Sequence, residues 1–234
     1  MTNFPSSVDE FLNGQVFLLN KQIGWTSFDI IKKMKYLIRK KYSIKKIKIG
    51  HAGTLDPLAT GLLIVCTGKF TKKISEIQNQ EKTYTGTIQL GGSTPSYDLE
   101  TKVFQNHQTN HITEKLINQK AKDFIGLINQ KPPIYSAIKK GGERLYAKAR
   151  RGETVNIESR LVFVREFKII YIEDLKVHFK IICSKGTYIR SIALDFGKAL
   201  ESGGYLSKLC RISIGEYSLT NSINIKKFED LLNS

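Results

Sequence analysis

The hydrophobic and polar positions of the chain predict short strands mixed with helices. Residues 14–20 and 61–67 are apolar stretches of the length typical of buried strands, and residues 82–91 alternate as a strand with one apolar face. From Phe28 onward apolar residues recur at helical spacing, which predicts a helix, and residues 69–78 favour a second one. The first third of the chain therefore carries both kinds of element.

The remainder of the chain has the same mixed pattern. A helix is predicted to start at Thr113, residues 161–172 and 175–183 alternate as a hairpin, and a further helix is expected over residues 187–200. A strand near 208–219 and a short terminal helix follow. Because there is no regular βαβ rhythm, the order favours an α+β domain with a mainly antiparallel mixed sheet flanked by helices.

The chain is expected to form one domain. Its 234 residues are enough for one large domain or two small ones, and neither an internal repeat nor an obvious linker is present. We therefore predict a single domain over residues 1–234. Residues 132–159 are rich in Gly, Lys and Arg and are expected to form a basic excursion from the core.

Composition adds a strong positive charge. The chain has 37 Lys and Arg residues against 21 Asp and Glu residues, a net charge of +16. Such a chain is attracted to polyanions, of which nucleic acid is the commonest. However, only 8 of the 37 bases are Arg, and Lys, Ile and Asn are abundant throughout, as an AT-rich genome would also produce. Charge alone leaves nucleic-acid binding and a merely basic surface equally open.

The cysteines and the N-terminus favour a cytoplasmic protein. Cys66, Cys183 and Cys210 lie in apolar stretches without a CxxC pair, which favours buried reduced thiols. Residues 1–14 are polar and acidic, unlike a signal peptide. No apolar run approaches the length that spans a membrane.

Residues 50–61, with the sequence GHAGTLDPLATG, are the most distinctive segment. They follow residues 31–50, which hold nine basic residues and no acidic one, and they precede a predicted buried strand. A loop fixed on a rigid scaffold is where chemistry is usually located. Asp56 precedes Pro57, which biases its backbone toward extended conformations. Two interpretations remain open: a reactive carboxylate, or an Asx-type turn within the loop.

A second loop of interest is SKGTYIR at residues 184–190. Thr187 is expected to cap the following helix, which would place Tyr188 and Arg190 in its first turn. An Arg beside a carboxylate can hold it ionised and oriented through a forked hydrogen bond. The alternative is that Tyr188 is a core aromatic residue and Arg190 a surface charge.

Three other motifs are not expected to carry chemistry. Residues 136–139 match S-x-x-K, but the partner motifs of serine acyl-enzymes are missing. His107 and His111 are four apart, yet they lie in a polar segment with no HExxH and no nearby Cys, so no zinc site is expected. Gly91 and Gly92 follow a strand without a GxGxxG or Walker motif, so no nucleotide cofactor is expected.

Taken together, the segments resemble the TruB family of tRNA pseudouridine synthases over nearly the whole chain. Five blocks match in the family's order: LNKQIGWTS at 19–27, the loop at 50–61, KTY at 82–84, PIYSAIK at 133–139 with Tyr146, Ala149 and Arg150, and CSKGTYIR at 183–190. A further short match is LCR at 209–211. Five blocks in register make the resemblance specific.

The resemblance implies a pseudouridine synthase fold and an isomerase that converts uridine to pseudouridine in the T loop of tRNA, at position 55. Asp56 would be the nucleophile acting on a flipped-out base, and Arg190 its ion-pair partner. Tyr84 would stack on the flipped uracil, and Tyr188 would pack in the same pocket and form a hydrogen bond near Asp56.

The resemblance also implies a set of RNA contacts. His51 would support the target nucleotide or its displaced neighbours, the backbone at Leu209 would contact the base edge, and Lys21 would lie near the catalytic loop. Residues 132–159 would form a thumb-like RNA-binding insertion. Its expected contacts to the RNA backbone are Lys139, Lys140 and Arg150.

Cofactor and partner expectations follow from the same resemblance. The isomerisation gains and loses no atom, so neither a cofactor nor a metal is expected. The expected partner is the T stem-loop of tRNA, bound by a monomer that needs no protein partner. Many relatives continue into a C-terminal PUA domain, which is expected to be absent here, and the basic core would then supply affinity through counterion release.

One departure from the family and two rival functions remain. Gln22 stands where the family usually has proline, which changes local stiffness but no reacting group. One rival function is a catalytically idle RNA-binding protein of the same fold. The other is a pseudouridine synthase with a different RNA target.

Overall fold

The computed structural model describes residues 4–234 and divides into two compact units. The first unit contains the described residues up to Tyr84 together with Leu209–Ser234, and the second contains Thr85–Lys208. The helices are α1 (Val8–Asn13), α2 (Ser27–Tyr42), α3 (Ile74–Asn79), α4 (Glu114–Lys122), α5 (Leu145–Arg150), α6 (Ile189–Ala199) and α7 (Ile225–Asn233), with 3-10 turns at Gly68–Lys73 and Leu219–Asn221.

The strands are mostly short, and they pair mainly in antiparallel fashion. They are β1 (Val16–Lys21), β2 (Ile49–His51), β3 (Thr60–Thr67), β4 (Lys82–Leu90), β5 (Gly92–Ser93), β6 (Gln105–Asn106), β7 (Gly126–Gln130), β8 (Lys139–Lys140), β9 (Glu143–Arg144), β10 (Arg160–Glu173), β11 (Lys176–Cys183), β12 (Gly204–Ile214) and β13 (Tyr217–Ser218). The boundary between the two units falls within β4 and β12.

Strand β3 is central in the first unit. It pairs antiparallel with β1 and β2 and parallel with β12, where Cys210 lies opposite Thr60. Its side chains are buried on both faces: Leu63 and Val65 belong to one apolar cluster, and Leu62, Ile64 and Cys66 belong to another. Burial on both faces explains why this strand is a continuous apolar run rather than an alternating one.

Helix α2 covers one of these apolar faces. Thr26 caps its N-terminus in a capping box, because the Thr26 hydroxyl accepts a hydrogen bond from the Asp29 backbone N–H and the Asp29 carboxylate accepts one from the Thr26 N–H. Ile30, Met34 and Ile38 are buried among the residues that pack on β1, β3 and α7. The sequence pattern placed Phe28 on the same apolar face. That prediction is wrong, since Phe28 is 68% exposed.

The second unit is built on β10. This strand pairs antiparallel with both β7 and β11, and α4 and α6 complete the layer. Four aromatic rings, three of them buried, join these elements in edge-on or tilted contacts with ring centroids 5.2–6.1 Å apart. They are Phe124, Phe167, Phe179 and Phe196. The predicted α+β class with a mainly antiparallel mixed sheet is confirmed.

Several element boundaries differ from prediction for local reasons. The strand predicted near 208–219 is a hairpin of β12 and β13, turned at Gly215, whose φ is 51°. Thr187 was predicted to cap α6, but Tyr188 occupies the N-cap position. The Thr187 hydroxyl donates to the Ser184 carbonyl at 3.0 Å. Helix α1 was not predicted; Ser7 and Glu10 form its capping box.

The excursion at residues 132–159 consists of the short β8–β9 hairpin followed by α5. Across residues 4–234, every helix is too short or too polar to traverse a lipid bilayer. The prediction of one domain over residues 1–234 stays a prediction.

Candidate active site

The Asp56 loop connects β2 to β3 in the first unit, and its backbone is fixed at several points. The Ala59 N–H donates to the Asp56 carbonyl at 3.1 Å, which closes a turn with Pro57 at its second position, where its fixed φ suits the backbone. The Ser27 hydroxyl accepts from the Leu55 N–H at 2.8 Å and donates to the Leu55 carbonyl at 3.2 Å. The start of α2 is therefore tied to the residue before Asp56, whose side chain is half-buried.

Arg211 holds the same loop from β12. Its side chain is fully buried, with 1% exposed, and the guanidinium donates to three backbone carbonyls. The distances are 2.9 Å from Nη2 to Gly53, 3.4 Å from Nη1 to Thr54 and 2.8 Å from Nε to Leu62. The LCR match at 209–211 predicted no role for Arg211. No sequence signal distinguished it, because β12 also contains Lys208 and two serines.

Lys21 is a second buried cation beside the loop. Its ammonium donates to the carbonyls of Trp25 at 2.6 Å, Gln22 at 3.0 Å and Pro57 at 3.3 Å. Burial lowers the pKa of Lys21 to about 8, the Asp56 carboxylate opposes that shift, and the Arg211 charge adds to it. The charge of the Asp56 carboxylate therefore helps to keep the Lys21 ammonium protonated.

His51 and Leu209 flank the loop on neighbouring strands. Burial, with a smaller effect of the Arg211 charge, lowers the pKa of His51, which favours a neutral imidazole at neutral pH. The Leu209 carbonyl accepts from the Thr60 hydroxyl at 3.3 Å, so Leu209 lies beside the end of the loop. Tyr84 lies on β4 and is the last residue of the first unit before the chain enters the second unit at Thr85. It is buried, with 8% of its surface exposed.

Arg190 belongs to the second unit and is buried, with 3% exposed. Its guanidinium donates to the carbonyls of Ser96 at 3.1 Å and Tyr135 at 2.8 Å. The distance from Nε to Oδ2 of the buried Asp98 is 3.6 Å. The alternative interpretation of Arg190 as a surface charge is therefore wrong. Asp98 was not predicted, because nothing in the local sequence distinguishes it from a loop carboxylate.

Tyr188 is positioned by Gln130, a residue that no sequence motif indicated. The Gln130 amide accepts from the Tyr188 N–H at 2.8 Å and donates to the Tyr188 carbonyl at 3.0 Å. The Arg160 guanidinium lies 5.0 Å from the centre of the Tyr188 ring, within the range of a cation–π contact. The ring itself is half-buried.

The three thumb residues that were predicted to contact the RNA backbone are exposed. Lys139 and Lys140 form β8, and the Lys140 ammonium donates to the Asn156 carbonyl at 2.5 Å. Arg150 ends α5, where its guanidinium forms a salt bridge of 3.0 Å with Glu100. Arg150 is therefore partly neutralised within the second unit.

His107 and His111, which were not expected to bind zinc, each contact another polar group, and two of the three cysteines are buried. His107 is 2.8 Å from the Ser93 hydroxyl and His111 is 2.8 Å from the Leu200 carbonyl. Across residues 4–234, no three His, Cys, Asp or Glu side chains are grouped as a metal site. Cys66 and Cys183 are buried as predicted, whereas Cys210 is partly exposed, so the prediction of burial is wrong for Cys210.

Comparison with known sequences gives consistent matches. A family model described as TruB family pseudouridylate synthase (N terminal domain) matches residues 39–189. The tRNA pseudouridine synthase B of Flavobacterium johnsoniae is 56% identical over 225 residues, which cover 96% of this chain and 98% of that protein. The proteins of the same name from Parabacteroides distasonis and Chloroherpeton thalassium are 45% and 47% identical, and the matches cover 95% and 90% of this chain and 95% and 87% of theirs.

Comparison with solved structures supports the same fold. A chain from the crystal structure of a Cbf5-Nop10-Gar1 complex is 28% identical with a TM-score of 0.68, and the match covers 94% of this chain. A chain from an H/ACA RNP bound to a substrate RNA containing 2'-deoxyuridine has the same TM-score at 24% identity and shows the fold alone. The present chain spans only about half of each, 54% and 55%.

Proposed function

Since the chain belongs to the TruB family of pseudouridylate synthases, we propose that it isomerises uridine to pseudouridine in tRNA, at position 55 of the T loop. The observation that carries the proposal is the high identity to proteins named tRNA pseudouridine synthase B over nearly their whole length. The Asp56 loop adds physical support, because Ser27, Lys21 and Arg211 fix the backbone on both sides of a half-buried carboxylate.

Asp56 is the proposed nucleophile. The reaction breaks the N1–C1′ glycosidic bond, turns the uracil over and joins C5 to C1′, while C5 loses its proton and N1 gains one, so atoms balance without a co-reactant. The ionised carboxylate attacks the base or the sugar, or it assists elimination across the sugar. All three routes require a carboxylate held in one place against its substrate, which the fixed loop backbone favours.

The target base must leave the T loop before it reacts. Flipping a base out of a structured loop costs a few kcal/mol. Stacking on Tyr84 would offset about 1–3 kcal/mol of that cost. Tyr188 is proposed to complete the base pocket, His51 to support the target nucleotide or its displaced neighbours, and the Leu209 backbone to contact the base edge.

Arg190 is proposed as the ion-pair partner of Asp56. It is suited to such a role because two carbonyls and the Asp98 carboxylate hold its guanidinium in one orientation. A fixed cation lowers the pKa of a nearby carboxyl and so keeps it ionised for attack. Residues 1–234 are proposed to act as one catalytic domain and monomer, with a thumb at 132–159 whose contacts to the RNA backbone are Lys139, Lys140 and Arg150.

The test uses purified protein and an unmodified tRNA transcript. After incubation, a pseudouridine-specific chemical adduct is mapped by primer extension, and we expect one new stop, at position 55. The matched control is Asp56→Asn, which keeps the shape of the side chain but is a poor nucleophile. We expect Asp56→Asn to bind tRNA within a few-fold of wild type and to form no product.

The outcomes separate the rival functions. An adduct at other uridines alone would indicate a different RNA target. Tight tRNA binding with no adduct from the wild-type protein would indicate an idle RNA-binding protein. Turnover by Asp56→Asn near the wild-type rate would remove Asp56 from the mechanism while leaving the reaction itself intact.

A further inference from the structure

The solvent-facing side of α2 has an unusual composition. Phe28 and Tyr36 are 68% and 56% exposed, although large aromatic side chains usually lie inside. Lys32, Lys35, Arg39 and Lys40 are exposed on the same helix. The five later residues lie 4, 7, 8, 11 and 12 positions after Phe28, which places all six along one stripe of the helix surface.

The stripe borders a groove within the first unit. The groove has a volume of about 770 Å³, and its lining adds buried and half-buried isoleucines to the six exposed residues. The lining includes four basic side chains and no acidic one. Among residues 4–234, none of these four cations forms a salt bridge. Lys35, Arg39 and Lys40 are therefore available to neutralise a polyanion, whereas the charge of Lys32 also interacts with the Asp29 carboxylate.

This combination fits RNA with unpaired bases. Aromatic rings flanked by cations bind single-stranded nucleic acid, because bases stack on the rings while the cations contact phosphates. Phe28 and Tyr36 are eight residues apart, so they are separated by about 12 Å along the helix, enough for a few nucleotides. A protein partner is less suited, because lysine is depleted at protein interfaces. Membrane insertion is less suited, because the apolar face of α2 is already buried in the core.

The stripe also begins beside the candidate catalytic loop. Ser27, which immediately precedes Phe28, holds both backbone groups of Leu55. We propose that the exposed stripe of α2 binds an unpaired segment of the substrate tRNA outside the T arm, with bases on Phe28 and Tyr36 and phosphates at Lys32, Lys35, Arg39 and Lys40. This inference rests on the proposed function, since it takes the RNA to be the same substrate.

The experiment compares a full tRNA transcript with an isolated T stem-loop. The variant Phe28→Ala with Tyr36→Ala removes both rings, and Phe104→Ala, 65% exposed in the second unit, is the matched control. We expect the double variant to bind full tRNA at least tenfold more weakly, because it removes both surfaces on which bases would stack. Turnover of the T stem-loop should stay within twofold of wild type.

A second variant tests the charges. It also keeps the proposal testable if the double aromatic variant does not fold. Lys32→Gln with Lys35→Gln should lower the slope of log affinity for tRNA against log salt by about 0.7 for each phosphate that is no longer neutralised. Lys45→Gln with Lys46→Gln, exposed but outside the groove, should lower it less. Equal effects from both lysine pairs would overturn the proposal in favour of general charge.

Two further outcomes would overturn it. Unchanged tRNA binding by Phe28→Ala with Tyr36→Ala would overturn the proposal. Loss of binding to anionic lipid vesicles or to an acidic protein in that case would assign the stripe to a different partner. An equal loss of T stem-loop turnover would place the stripe within the T-arm site instead. Failure of the proposed function is distinguishable, since the wild-type protein would then form no pseudouridine in either RNA.

Discussion

Replacing Arg211 with methionine tests whether a buried cation fixes the Asp56 loop. Methionine keeps an unbranched stem of similar length but removes the donors to Gly53, Thr54 and Leu62. All three carbonyls then lie in an interior that offers few replacements, since Arg211 is only 1% exposed. We expect Arg211→Met to lower both the free energy of unfolding and the rate of the chemical step.

The magnitude follows from the geometry of the three bonds. The bonds of 2.8 Å and 2.9 Å are well formed, and each charged hydrogen bond contributes about 1.5–3 kcal/mol. The contact of 3.4 Å to Thr54 adds little. Removing a buried charge also relieves its desolvation, which offsets part of the loss. We therefore expect the free energy of unfolding to fall by about 3–5 kcal/mol.

The effect on catalysis comes from loop position. Gly53 and Thr54 lie two to three residues before Asp56, so their release lets the carboxylate move. A displacement of about 1 Å is enough to lower kcat roughly 100-fold. A separate signature is electrostatic: Arg211 lowers the pKa of His51, so Arg211→Met should raise that pKa toward its ordinary value.

The assays are a urea melt, single-turnover isomerisation of tRNA, and an NMR titration of His51. Lys226→Met is the matched control, because it removes an exposed cation from α7 whose surface salt bridge with Asp230 contributes little to stability, so all three readouts should stay close to wild type. Arg211→Lys should recover only part of the loss, since one ammonium cannot reproduce the planar fork. Wild-type stability and rate in Arg211→Met would refute the proposed role of Arg211.

Two further predictions concern the second unit. Arg190→Lys should lose much of kcat with a smaller change in tRNA affinity, because one ammonium cannot reproduce the planar fork of the guanidinium. Replacing Lys139, Lys140 and Arg150 together with Gln should lower the slope of log affinity against log salt by about one unit for each phosphate left without its cation. The smallest share should come from Arg150, which already pairs with Glu100.

Each of these has a clear contrary result. Single-turnover rates of Arg190→Lys equal to those of wild type would exclude the ion pair with Asp56. Because Arg190 is buried, a melting curve must accompany the rates, and Asp98→Asn provides a second variant that weakens the same cluster. An unchanged salt slope in the triple variant would show that the thumb charges only keep the domain soluble.

The sequence by itself determined the local structure and the family. The apolar run at 61–67 predicts a buried strand, and β3 is that strand. Thr26 and the spacing after it predict α2, because capping and helical periodicity are properties of neighbouring residues. The ordered motif blocks indicate the TruB family, which the comparisons confirm.

Only the tertiary structure decided which side chains support the site. Arg211 contacts loop residues 157 and 158 positions away, and Arg190 contacts carbonyls 94 and 55 positions away. No local pattern specifies such partners, since a cation in a strand or at a helix start is compatible with solvent. The prediction that Phe28 lies on the buried face is wrong for the same reason: helical spacing gives a face only approximately, and packing against β1, β3 and α7 decides which residues are buried.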